Sequence, residues 1–280
     1  MSMQPIINHL VQLQELIIAR AQQEAGMPGA QFAQLDESIH ALTQELPRDI
    51  HQQFTRLLQK SPLAIVPVVN GVCTACGMTL PVSLVHQVHA AEQIYQCPSC
   101  ARLLFHRASG ARNTRKSPRR SDPPKVGIER FSAESLMIPA LKGTDRDAVL
   151  AELCQKLDDE GFVDDAGKLL EAAEQREAII STAVENGLAF PHVRCVEGGA
   201  LTFALGIAPK GIKFDPAGKA NTRIIFFMVI PTAASAFYLK LLSGLSQVFQ
   251  KAENREKLLE AETSEKMWKA LVKATRLAIS

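Results

Sequence analysis

The stretch Thr182-Ala-Val-Glu-Asn-Gly187-Leu-Ala-Phe-Pro191-His192-Val-Arg194 decides how this chain is read, because it holds the only histidine of the last 150 residues. An imidazole binds a metal, moves a proton or carries a phosphoryl group. Metal binding draws on several His, Cys or carboxylate ligands grouped together, and none cluster around His192 in the sequence. A lone histidine with Arg194 two residues later better suits a nucleophile whose product is an anion, since the rigid donor fork of an arginine pairs with phosphate oxygens. Taken alone, Pro191-His192 is equally compatible with a surface or core histidine that does no chemistry.

The flanking sequence carries the reading further. Ahead of the motif runs Arg176-Glu-Ala-Ile-Ile-Ser181-Thr182, and after it Leu201-Thr-Phe-Ala-Leu-Gly206 and Gly211-Ile-Lys-Phe. Then come Arg223-Ile-Ile-Phe-Phe-Met-Val-Ile230-Pro231 and Leu239-Lys-Leu-Leu-Ser-Gly-Leu245. In these residues the chain from Phe131 onward resembles the enzyme IIA domain of the bacterial phosphoenolpyruvate:sugar phosphotransferase system. The likeness is to the fructose/mannitol class, which includes the nitrogen-type regulatory proteins, and it covers about half the chain. It implies an α/β (α+β) sandwich with helices flanking a mixed sheet. It implies that His192 is phosphorylated by the carrier HPr and passes the group to an enzyme IIB. Arg176 matches the family's active-site arginine, and Arg194 is a second candidate for holding the phosphoryl group. Thr182 is a candidate hydrogen-bond donor to a phosphoryl oxygen.

One position departs from that pattern. The family often carries a second histidine at the start of the helix after the Ile-Pro strand end, where this chain has Phe237-Tyr238-Leu239. Tyr238 can still donate a hydrogen bond, but a phenol stays neutral near pH 7 and cannot become an imidazolium. The departure favours regulation over sugar uptake. Phosphoryl transfer rests mainly on positioning and charge stabilisation, and a phosphorylated side chain carries about two negative charges.

Cys73-Thr-Ala-Cys76 and Cys97-Pro-Ser-Cys100 form the second motif. Two tight knuckles at this distance place four thiolates around a tetrahedral zinc ion. The rivals are two disulfides, disfavoured in a reducing compartment, and a redox dithiol, for which one pair would suffice. With four protein ligands the site is closed, so its expected role is structural, and metal binding would supply much of the folding free energy of so small a segment. His86, His89 and His106 lie nearby but are not needed as ligands, and Cys154 and Cys195 have no partner pattern. This segment, with the helices before it, also resembles bacterial coiled-coil proteins ending in a four-cysteine zinc ribbon, which implies binding to a protein or a nucleic acid.

Composition and periodicity place these motifs. The chain has 280 residues, 46% hydrophobic, which suits globular cores. Its longest apolar runs are too short to cross a bilayer, and no signal peptide is apparent, so a cytoplasmic protein without membrane insertion is expected. Residues 1–60 read as a helical hairpin: Ile6, Leu10, Leu13 and Ile17 are spaced four, three, four, as are Leu35, Ile39, Leu42 and Leu46, with Gly26 to Gly29 between them. Self-packing within the hairpin is the simpler reading, with a dimeric coiled coil as the alternative. Residues 61–106 are expected to form the ribbon and residues 131–280 the C-terminal domain. Residues 107–130 hold eight basic and two acidic residues, a local +6 in a chain of net +2, and few apolar groups, so a flexible linker is expected. Two functional classes follow. One is a phosphoryl carrier or regulator with an HPr-like donor and an enzyme IIB or regulatory target. The other is a binding module whose ribbon and basic linker contact nucleic acid or an acidic protein, with a C-terminal half that no longer transfers phosphate.

Overall fold

The computed structural model describes residues 3–26, 32–107, 111–114, 125–196, 198–218, 220–231 and 235–279, the side chains of 22, 23, 25, 26, 34, 195 and 235–237 excepted. Residues 27–29 of the expected hairpin turn, the basic core of the linker at 115–124 and the side chain of Cys195 lie outside the described residues. The chain divides into two compact units, Met1–Ser109 and Gly110–Ser280. Among the described residues no helix is long and apolar enough to cross a membrane.

In the first unit, α1 (Gln4–Gly26) and α2 (Ala33–Gln44) run antiparallel, with Arg20 paired to Asp36 at 2.5 Å and the His9 ring 2.7 Å from the Leu42 carbonyl. The second expected helix is broken in two. Proline restricts the residue before it to extended backbone, so Leu46-Pro47 ends one helix and opens α3 (Arg48–Leu58), which buries Ile50, Phe54 and Leu57. The face of α1 is wider than a heptad seam: Ile7, Leu10 and Leu13 meet Ile50, Phe54, Ala64, Ile65 and Leu103, while Ile18 joins the ribbon core around Val66, Val68 and Leu104. Helices and ribbon therefore share cores. Gln14 joins them at a polar point. Its buried amide accepts from the Ala64 and Ile65 N–H groups at 2.7 and 2.9 Å and donates to the Ile65 carbonyl at 2.9 Å. This satisfies strand-end groups that would be costly to bury alone.

The ribbon sheet comprises β1 (Ile65–Val69), β2 (Val72–Cys73), β3 (Tyr95–Gln96) and β4 (Leu103–His106), in the order β2-β1-β4-β3, with α4 (Val82–Ala90) between the cysteine pairs. Asn70 and Gly71, both at positive φ, make the tight turn from β1 to β2.

The second unit is built on a mixed six-stranded sheet: β5 (Met137–Ile138), β6 (Ala183–Val184), β7 (Leu188–Ala189), β8 (His192–Val196), β9 (Thr202–Ile212) and β10 (Thr222–Pro231). From Ile224 to Pro231, β10 is buried throughout; it is antiparallel to β9 and takes β7 and β8 in succession along its other edge, both parallel. Continuous apolar sequence, rather than alternation, is what a strand covered on both faces requires. The helices are α5 (Arg146–Asp159), α6 (Ala166–Ile179), α7 (Ser235–Gln250), α8 (Ala252–Leu259) and α9 (Ser264–Thr275). Asp145 caps α5, its carboxylate accepting from the Ala148 N–H. Phe226 of β10 packs against Phe190, Phe203 and Phe249 at ring distances of 5.3, 5.9 and 5.3 Å, the centre of the core.

The expected linker is only partly a linker. Ala111 is buried in the core of the second unit, and Asn113 bridges to Val163. The Arg112 N–H donates to Asp164 Oδ1 at 2.6 Å, the Thr114 N–H to the Phe162 carbonyl at 2.9 Å, and Asn113 Nδ2 to the Ala200 carbonyl at 2.8 Å. Gly199, at φ +62°, lies so close to the Asn113 side chain that any Cβ there would collide with it. Residues 127–130 form a short 3-10 turn whose Ile128 is also in this core.

Candidate functional site

Three elements converge on His192. It is the first residue of β8, opposite Met228 of β10, and only 1% exposed. Pro191 interrupts the edge between β7 and β8, and its carbonyl accepts the Met228 N–H, so the strand restarts at the histidine. Alternation along a strand places Arg194 on the same face as His192. The last turn of α6 brings Arg176, and the first turns of α7 bring Tyr238, fully buried.

The hydrogen bonds define the ring's protonation. His192 Nδ1 lies 3.1 Å from the Phe190 carbonyl, which can only accept. Arg176 Nε donates to His192 Nε2 at 3.2 Å, and a guanidinium can only donate. The proton therefore sits on Nδ1 and the lone pair on Nε2. Burial, then the charges of Arg176 and Arg194, push the His192 pKa well below the ordinary histidine range, against the Phe190 bond. The ring is a neutral base whose Nε2 electron pair accepts from a cation.

Arg194 is 8% exposed, and its Nε and Nη1 are buried with no hydrogen-bond partner among the described residues. Orphaned buried donors are rare and costly, and they point to a missing acceptor. Arg176 also donates through Nη1 to the Ile180 carbonyl at 2.9 Å, which fixes its approach.

Two expected residues sit differently from expectation. The Thr182 hydroxyl donates to Glu177 Oε2 at 2.9 Å and its N–H to Glu177 Oε1 at 2.6 Å, so neither donor is turned to a phosphoryl group. The Tyr238 hydroxyl lies 3.3 Å from His192 Nδ1, on the side of the ring away from Nε2, where it can only accept. Glu177, 3% exposed, and the Phe190 carbonyl have no role in the sequence reading; Glu177 adjoins Arg176, which was its only signal. The Phe190 ring stacks on Phe226 with planes 12° apart, so the core holds the residue whose carbonyl orients the histidine.

Comparisons with known proteins place the second unit in a family. Residues 130–274, more than half the chain, match the family model described as phosphoenolpyruvate-dependent sugar phosphotransferase system, EIIA 2. The chain belongs to this family. The EIIA unit is 34% identical over 107 residues to a protein of Haloferax volcanii described as the PTS system fructose-specific EIIA component, covering 38% of this chain and 70% of that one. It is 29% identical over 108 residues to the nitrogen regulatory protein of Pseudomonas aeruginosa, covering 39% and 70%. Among solved structures, the nitrogen regulatory protein IIA-Ntr of Neisseria meningitidis superposes with a TM-score of 0.46 at 22% identity, over 50% of this chain and 96% of that one.

The first unit carries the metal centre. Residues 72–104 match the C4-type zinc ribbon model. The two knuckles repeat one geometry: the Gly77 N–H donates to the Cys73 carbonyl at 2.9 Å, and the Ala101 N–H to the Cys97 carbonyl at 2.8 Å. Both Gly77 and Ala101 have positive φ. The Sγ atoms of Cys73 and Cys100 are 3.8 Å apart, those of Cys76 and Cys97 3.7 Å, and all four lie within 4.8 Å of one another. A tetrahedron with zinc–sulfur bonds of about 2.3 Å has edges of about 3.8 Å, so the cysteines fit a structural zinc. Burial acts to raise the Cys100 thiol, but bonds from Arg102 and the neighbouring sulfurs bring it down to about 7. Arg102 is anchored by its bonds to the Leu63 carbonyl and to Ser61 Oγ, both at 2.9 Å.

Proposed function

We propose that this protein is a phosphotransferase-system phosphoryl carrier with a regulatory output. His192 accepts the group from an HPr-like donor at the end of a phosphoenolpyruvate-dependent relay. The observation that carries the reading is the neutral, buried ring with its Nε2 lone pair beside Arg176 and within the field of Arg194, two of whose buried donors have no partner among the described residues. In the forward step Nε2 forms a bond to phosphorus, and the leaving group of the donor takes the electron pair of the bond that breaks. No proton leaves Nε2, because the proton is on Nδ1. The charge that develops on the ring is stabilised by the Phe190 carbonyl through Nδ1–H, and that on the phosphoryl oxygens by the two guanidiniums. Arg176 must first release Nε2, after which its donors are close enough to turn to the phosphoryl oxygens. The group then passes to an enzyme IIB or alters the partners the protein binds; Tyr238 in place of a second histidine favours the regulatory outcome. The test is label incorporation from phosphoenolpyruvate with enzyme I and HPr, comparing wild type with His192→Ala. Acid-labile label in wild type alone is expected; no label in either, with the chain folded and zinc-loaded, rejects the reading.

A further inference from the structure

Two consecutive residues at the end of α6 divide the labour of the site. Arg176 reaches His192 Nε2 directly, while Glu177 turns to Thr182 and holds both of its donors. The Thr182 carbonyl accepts the Phe190 N–H at 3.1 Å, and the Phe190 carbonyl accepts from His192 Nδ1 at 3.1 Å. Between these points the chain leaves and returns through the antiparallel pair β6–β7, with Ala183 opposite Ala189 and Val184 opposite Leu188. The left-handed Asn186 and Gly187 reverse it at the tip. The Thr182–Phe190 bond closes the mouth of this hairpin, and Glu177 is the group that fixes the mouth to α6.

We propose that Glu177 is a positioning residue that sets the tautomer of His192 through Thr182 and Phe190. This rests on the reading of His192 as the phosphoryl acceptor. The ring has two tautomers, and only the one with a bare Nε2 can attack phosphorus there. In the other, Nε2–H would face the Arg176 Nε–H, donor against donor, and the Nδ1 lone pair would face the Phe190 carbonyl oxygen. Both clashes depend on Phe190 and Arg176 being held where they are. Arg176 is held by its bond to the Ile180 carbonyl and Phe190 by Thr182. Burial drives the Glu177 carboxyl above the usual carboxylate range, while the Thr182 N–H, the Arg176 charge, and the Thr182 and Ser181 side-chain bonds favour its charged form. A buried acid kept for hydrogen bonds to Thr182 and the adjoining Ser181 is costly unless that short segment must not move. The carboxylate touches neither the reacting nitrogen nor the incoming group, so its effect is exerted through geometry.

The experiment reads the tautomer itself, by long-range proton–nitrogen correlation spectra of His192 in the zinc-loaded, unphosphorylated full chain. Wild type is expected to show a protonated Nδ1 and a bare Nε2. Glu177→Ala is expected to give a mixture of tautomers and to slow phosphoryl uptake roughly ten- to a hundredfold, the scale on which small misplacements act. Glu177→Gln, which keeps one acceptor for the Thr182 N–H, should fall between. A wild-type tautomer pattern in folded Glu177→Ala overturns the proposal. If that variant does not fold, Glu177→Gln and Thr182→Val decide: a shift toward Nε2–H in either supports it, and the wild-type pattern in both overturns it. The spectrum needs no phosphoryl donor. A wild type that shows the expected tautomer but takes up no phosphate therefore rejects the proposed function and leaves the positioning role to be judged by the variants.

Discussion

Arg194→Met separates a residue kept for stability from one kept for an anion. Arg194 is 8% exposed with two buried donors, Nε and Nη1, that have no partner among the described residues, and its charge lies close enough to His192 to lower the ring's pKa. An unsatisfied buried donor costs about 1–3 kcal/mol, more if it is charged, and replacing buried charges by apolar groups of similar volume is often neutral or stabilising. Methionine keeps most of the stem and removes both donors, so a gain of about 2 kcal/mol is expected. For a unit of this size, 1 kcal/mol moves the melting temperature by roughly 2–4 °C, which predicts a rise of about 4–8 °C. Phosphoryl uptake should move the other way. A hydrogen bond to a charged group contributes about 1.5–3 kcal/mol, so losing one from the phosphorylated state lowers the equilibrium phosphorylation roughly ten- to a hundredfold. Thermal unfolding of the full chain, and the phosphorylated fraction at a fixed ratio of phosphoenolpyruvate to pyruvate, measure the two effects. A variant that melts lower than wild type and is phosphorylated equally well refutes the reasoning, because Arg194 would then be an ordinary packing residue.

Three further outcomes follow from the same coordinates. The folded pKa of His192 lies below its unfolded value of about 6.5, so the stability it contributes is full above about pH 6.5 and is lost as pH falls toward the folded value. His192→Gln should therefore gain on wild type as the pH is lowered, by up to about 1.4 kcal/mol per unit, and parallel melting curves would argue against a buried neutral ring. Arg176, Arg194, Glu177 and Tyr238 are present in both proteins and drop out of that comparison. Removing zinc with a chelator, or Cys76→Ser, should abolish the folded signal of residues 61–106, since ribbon folding and metal binding are one equilibrium; an unchanged circular dichroism spectrum counts against a structural zinc. Tyr238→Phe should change phosphoryl uptake by less than about threefold, because the Phe190 carbonyl already holds Nδ1–H and a bond at 3.3 Å adds little; a larger loss in the uptake assay would give the phenol a direct part.

The parts of the site that the sequence revealed are those whose chemistry is written in residue type and spacing. Four cysteines in two pairs, and His192 between Arg176 and Arg194, needed no coordinates to be singled out. The buried β10 was legible as an unbroken apolar run. What stayed hidden depends on where the backbone goes. Thr182 reads as a donor for an anion until α6 places Glu177 against it. Gln14 reads as a polar interruption of an apolar face until β1 arrives at its amide. The short helix α8 buries Leu258 and little else, too weak a pattern to stand out. Residues 111–114 pair through backbone groups, which leave no periodicity in the side chains.

That last segment changes where one module ends and the next begins. The family match opens at residue 130, yet the unit that folds around His192 already includes Ala111 in its core. Moving this chain's C-terminal half, cut at the family boundary, behind another protein's N-terminal part would strip Asp164 and the Ala200 carbonyl of their donors, and would leave Gly199 shaped for an asparagine no longer there. The joint between the two ancestries is therefore not a neutral splice: the recipient unit has grown a strap from sequence that belongs to neither family model, and any shuffling of these modules has to carry that strap with it.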